Sequence, residues 1–176
     1  MGTVSYQVKK TGMLLEQRLT IPSYQRPYKW QQKHVNQLID DVLTHQNKQS
    51  YRLGTVVLHR DKLNPTYEGE LDIVDGQQRL LTLTLLCSVL DQSDEFSTPL
   101  LEHSFASRVS INNLEHNAKV IENRLVGLND NERKSLLHFV CNKCELIEVT
   151  LDDLSEAFQF FDSQNARGKA LAPHDL

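Results

Sequence analysis

The dipeptide Asp75-Gly76 constrains this chain more than any other feature. It separates two segments of different period. Before it, Glu70-Leu-Asp-Ile-Val74 places Leu71 and Ile73 on one face and reads as a strand. After it, Gln77 to Leu90 carries Leu80, Leu81, Leu83, Leu85, Leu86, Val89 and Leu90, apolar nearly all round. Such a helix belongs at the centre of a domain. A strand that turns directly into a buried helix predicts a domain of packed α and β layers.

The same turn is suited to chemistry. A helix start leaves backbone N–H groups unpaired and carries about half a positive charge. Gly76 allows a ligand to approach the backbone closely. Arg79 falls in the first helical turn, where a guanidinium can fork onto phosphate oxygens. A cation there opposes the helix dipole, a cost that a bound anion would offset. The alternative is that Asp75 caps the helix and Arg79 pairs with a carboxylate. The phosphate loop GxxxxGK[ST] is not in the sequence.

The remaining elements follow from period and punctuation. Residues 1–20 read as a short helix or arm with Met13, Leu14, Leu15 and Leu19 apolar. The prolines of Ile21-Pro-Ser-Tyr-Gln-Arg-Pro-Tyr-Lys-Trp30 enforce an extended path. In that arm Tyr24, Tyr28 and Trp30 either stack on a base while Arg26 reaches phosphate, or cover the core. Residues 33–46 predict an amphipathic helix, and Leu53-Gly-Thr-Val-Val-Leu-His59 a buried strand. Polar residues 91–99 open an insertion with helices over 113–128 and 130–144. Glu145 to Leu151 returns to period two, and a helix from Asp152 or Asp153 runs through Phe161. The loop after it holds Asn165, Arg167, Gly168 and Lys169, either a second set of polar groups for a ligand or a helix cap. Asp175-Leu176 reads as the opening of one more helix, as in a chain that continues.

Composition excludes several classes. Hydrophobic residues, 39% of 176, suffice for a core. Lys plus Arg number 19 against 23 Asp plus Glu, so basic character can only be local. No apolar run approaches the ~18 residues of a membrane span. The N-terminus has no signal-peptide core, and Tyr6 breaks the myristoylation pattern. Three cysteines without an export signal predict reduced thiols in a cytoplasmic protein. Cys141-Asn-Lys-Cys144 has CxxC spacing but no second pair to complete a zinc site, and reads as a helix end.

Four segments, in order and spacing, carry a resemblance: Ile21 to Trp30, Leu53 to Leu58, Ile73-Val-Asp-Gly-Gln-Gln-Arg-Leu-Leu-Thr-Leu83, and Phe158 to Leu171. The chain resembles the N-terminal domain of GmrSD-type restriction endonucleases over nearly its whole length. The resemblance implies an α+β fold of the ParB/sulfiredoxin type, a small mixed sheet with surrounding helices and a helical insertion. Residues 1–92 would form the core with the arm and motif, 93–143 the insertion, and 144–176 the segment that completes the core. It implies a nucleotide-binding and hydrolysing module in prokaryotic defence against phage DNA, often modified DNA, working with a C-terminal HNH-type nuclease domain. The nucleotide motif falls on Asp75, Gly76, Gln77, Gln78 and Arg79. Leu81 stands where relatives often have Thr.

On that basis a nucleoside triphosphate with Mg²⁺ is expected on Gly76, Arg79, Arg26 and Tyr24. Asp75 would orient water or the metal through its water shell, and Gln77 or Gln78 the attacking water. Asn165, Arg167 and Gly168 would close the site. The rival expectations are a ParB-like DNA-binding or sensor module without hydrolysis, a ParB-like nuclease, and a protein-interaction platform.

Overall fold

The computed structural model describes residues 4–103, 105 and 107–167. The N-terminal segment departs from the helix or arm expected over 1–20. It forms strand β1 (Val4–Lys10), helix α1 (Thr11–Glu16) and the two-residue strand β2 (Leu19–Thr20). The physical reason is the alternation of Val4, Tyr6 and Val8 with Ser5, Gln7 and Lys9. Those three apolar residues stay exposed because β1 is an edge strand, which disguises the pattern.

After the arm come α2 (Gln32–His45), β3 (Tyr51–His59), β4 (Leu71–Asp75) and α3 (Gln77–Leu90). A 3₁₀ turn at Pro99–Glu102 leads to α4 (Arg108–Leu125) and α5 (Asp130–Asn142). The chain then forms β5 (Cys144–Leu151) and α6 (Leu154–Arg167), the latter running past Phe161. The five strands make one mixed sheet in the order β1-β5-β3-β4-β2. β5 runs antiparallel to β1 and parallel to β3, β4 antiparallel to β3, and β2 parallel to β4. The fold is α+β.

Side-chain alternation splits the apolar residues of the sheet between two layers. Val56, Leu58, Ile73 and Leu146 join the larger layer, with Leu80, Leu83 and Leu86 of α3 at its centre. Val57, Val74, Val149 and Leu151 form a smaller layer under Ala157 of α6. The helices of the 93–143 segment bury Ile121, Leu125, Leu136 and Phe139 in the same core as α3. Thr82 and Thr84 lie inside that core because their hydroxyls donate to the carbonyls of Gln78 and Leu80, each at 2.8 Å. Among the described residues no helix is long and apolar enough to cross a membrane.

Candidate functional site

Gly76 turns β4 into α3. Its backbone is left-handed, with φ +105° and ψ 5°, and its carbonyl accepts the first helical bond from Leu80 N at 3.0 Å. A Cβ there would lie 2.8 Å from Val56 Cγ1. Glycine is therefore required twice, for conformation and for the close approach of β3.

The two glutamines that follow hold the arm. Gln77 Nε2 donates to the Arg26 carbonyl at 3.0 Å, and Gln78 Nε2 to the Pro27 carbonyl at 3.2 Å. Gln78 Oε1 accepts from Lys29 N at 2.9 Å. Gln25 Nε2 donates to the carbonyls of Ile73 and Val74, both at 2.8 Å. From the other side Tyr28 N donates to Ser110 Oγ at 2.8 Å, while Asn113 and Asn117 donate to the carbonyls of Tyr28 and Trp30 at 2.9 Å. The arm has no strand beside it, so side-chain amides and a hydroxyl supply the partners its backbone needs.

Tyr28 is wholly buried, and its phenol lies inside a relay. Asn117 Nδ2 donates to Tyr28 Oη at 2.9 Å, Tyr28 Oη to Thr82 Oγ1 at 2.7 Å, and Thr82 to the Gln78 carbonyl. Burial pushes the Tyr28 phenol above its ordinary pKa, against its hydrogen bonds with Thr82 and Asn117. Tyr28 and Trp30 thus cover the core, leaving Tyr24 43% exposed, edge-on to Phe158 with centroids 5.4 Å apart. Burial, then the charges of Asp72 and Asp61, pushes the Tyr24 phenol up to about 12. Arg26 is exposed on the arm. Gln77 Oε1 and Asn117 Oδ1 are buried with no hydrogen-bond partner among the described residues.

Arg79 has a different setting. It makes no ion pair or hydrogen bond among the described residues, and it lines a cavity of about 470 Å³. Trp30, His34, Asp40, Asp41 and His45 of the arm and α2 line the cavity with it, together with Leu53. β3 makes room by a bulge. Arg52 pairs with Glu145 and Gly54 with Leu146, so Leu53 is an extra residue and takes a place on the cavity wall. Gly54 has φ +151°, and a Cβ on it would overlap the Arg79 guanidinium. The Leu53-Gly54 pair, legible in the sequence as plain strand, is the slot in which Arg79 lies.

The cavity wall holds a second polar cluster. Tyr51 Oη donates to Asp41 Oδ1 at 2.6 Å. The His45 ring stacks on Tyr51 at 3.9 Å and 8°, with Nδ1 3.3 Å from Asp41 Oδ1. The bond to Asp41, then burial, pushes the Tyr51 phenol up to about 12. His34 Nδ1 accepts from Gln31 N at 2.8 Å, so the neutral ring carries its proton on Nε2. Asp40 pairs with Arg124.

The predicted site residues therefore divide. Arg79 faces the cavity, while Asp75, Gly76, Gln77 and Gln78 are not among the residues that line it. The side chains of Asn165 and Arg167, and all of Gly168, lie outside the described residues. Sequence reasoning missed His34, Asp40, Asp41 and His45, which look like the polar face of an ordinary amphipathic helix. The one available signal was Gly54 inside a β-branched run, since glycine there marks a bulge or a close approach.

A sequence profile of the GmrSD restriction endonuclease N-terminal domain matches residues 9–176. The chain belongs to that family. This GmrSD domain is accordingly part of a restriction and defence protein. No curated protein matches the chain.

Proposed function

We propose that this GmrSD N-terminal domain binds and hydrolyses a nucleoside triphosphate in the cavity beside Arg79. In this reading it controls a C-terminal HNH-type nuclease domain that acts on phage or modified DNA in the cytoplasm. The observation that carries the proposal is Arg79 itself, a cation in the first turn of α3 that opens on a cavity and makes no ion pair among the described residues. A guanidinium so placed suits phosphate oxygens, and the α3 N-terminus adds to its field. His45 offers aromatic surface on the same wall, beside the buried Trp30.

Mg²⁺ would enter with the polyphosphate and neutralise its oxygens. Among the described residues no group of three or more His, Cys, Asp or Glu could hold a metal alone. A nucleotide-borne Mg²⁺ needs only one or two carboxylates beyond phosphate and water. Asp40 and Asp41 on the wall meet that need, and Asp75 is the further candidate that the family resemblance implies.

The chain's own groups have separate tasks. Arg79 holds phosphate. Gln77 and Gln78 fix the arm, and so place Trp30 against the cavity. His45, braced by Asp41 and Tyr51, is within the cavity to exchange a proton with water. Titration calorimetry with ATP and GTP plus Mg²⁺, and a phosphate-release assay, test the reading. Arg79→Ala removes a charge-assisted contact of about 1.5–3 kcal/mol, weakening binding roughly tenfold to a hundredfold in a protein that stays folded. A folded wild-type protein that neither binds nor hydrolyses any triphosphate ends the proposal. Steep salt-dependent duplex binding without nucleotide would instead favour a DNA-binding module.

A further inference from the structure

Outside the nucleotide cavity, two cysteines distant in sequence meet between α3 and α5. Cys87 Sγ and Cys141 Sγ are 3.8 Å apart. Cys87 is wholly buried, whereas Cys141 is half-buried and lines a second cavity, of about 450 Å³, with Met13, Asp91, Leu137 and His138. Gly12 lies against Cys141, and a Cβ there would stand 3.2 Å from Cys141 Cβ. The glycine lets α1 pack closely on α5 at this point. The third cysteine, Cys144, is buried at the start of β5 and has no sulfur contact of this kind among the described residues.

We propose that Cys87 and Cys141 are a redox-active dithiol, which a hydroperoxide converts into a disulfide joining α3 to α5. The two sulfurs need to close from 3.8 Å to a bond of about 2.05 Å, a movement on the scale of side-chain rotation. Access and acidity assign the roles. Cys141 is reached from the cavity, and the bond donated by Cys87 lowers its pKa, against burial and the charges of Asp91 and Glu16. The same bond, and burial, raise Cys87. Cys144 is pushed up to about 12 by burial, and Asp41 adds to the shift.

The chemistry balances. The Cys141 thiolate attacks one oxygen of hydrogen peroxide, the simplest hydroperoxide, the O–O bond breaks, and the departing hydroxide takes a proton to leave as water. The Cys141 sulfenic acid is then attacked by Cys87, whose proton goes to the leaving hydroxyl. The S–S bond forms and a second water departs. The two sulfurs have given two electrons to one hydroperoxide.

The test uses the reduced protein and hydrogen peroxide, followed by an alkylating quench, digestion without reductant and mass spectrometry. A cross-linked Cys87–Cys141 peptide is expected in the wild type. It should persist in Cys144→Ser, vanish in Cys141→Ser and be reversed by dithiothreitol. Native alkylation before oxidation should label Cys141 ahead of the other two, a readout that needs no variant to fold. Recovery of Cys141 as sulfinic acid without a cross-link, a Cys141–Cys144 link, or equal labelling of all three thiols would each overturn the proposal.

Discussion

Gly54→Ala should disable the proposed nucleotide site from a strand that lies outside the Asp75-Gly-Gln-Gln-Arg79 motif. The new Cβ overlaps the Arg79 guanidinium and would lie 3.2 Å from its Cζ. The obstructed atoms are the free end of a flexible side chain, so Arg79 swings aside at little steric cost and leaves its place on the cavity wall. What remains is backbone strain at φ +151°, on the order of 1–3 kcal/mol for a residue with a Cβ. Loss of the guanidinium from phosphate adds a binding defect of about 1.5–3 kcal/mol, roughly tenfold to a hundredfold in Kd. Urea unfolding reads the first quantity and titration calorimetry with a triphosphate the second. The decisive measurement is the double mutant. Once Arg79→Ala has emptied the slot, Gly54→Ala should cost only the backbone strain and should weaken binding no further. Wild-type affinity in Gly54→Ala, or binding losses that add in full, would show that Arg79 does not act from this slot.

Three further outcomes are expected. Gly76→Ala should destabilise by about 2–5 kcal/mol in urea, from left-handed strain and pressure on Val56, and Val56→Ala should recover the second part only. Asn117→Ala should cost about 2–4 kcal/mol, because the Trp30 carbonyl and the Tyr28 phenol lose a donor in the core; a cost below about 1 kcal/mol would contradict the relay. The phenols of Tyr24 and Tyr51, raised to about 12 in the folded state, should stay protonated where free tyrosine ionises. Their contribution to stability is complete below the unfolded value of about 10 and is lost as pH rises toward 12. Ultraviolet titration beside circular dichroism checks this, and ionisation of all five tyrosines at the ordinary pH in a native fold would refute it.

The sequence revealed what local pattern controls. The β4-Gly76-α3 turn, the helices and the return strand β5 follow from period and from one dipeptide. β1 was hidden because its apolar residues face outward at an edge, so alternation there does not mark burial. The tasks of Gln77 and Gln78 were illegible for another reason. A glutamine that binds water and one that clasps a neighbouring backbone have the same composition, and only the arm's position separates them. The cavity needed three distant pieces at once: Arg79 from α3, His34 to His45 from α2, and the bulge at Leu53. The Cys87–Cys141 meeting spans the helices between, whereas the conspicuous CxxC spacing joins a helix to a strand.

The position of β5 also governs how the protein is made. Among the described residues β5 is the last strand in chain order, yet it lies between β1, the first, and β3. Until Leu151 clears the ribosome, β1 has no neighbour and β3 has one bare edge. Until β5 emerges, the nascent chain therefore displays an open template for wrong pairing, and that interval is when the domain is most prone to misassembly.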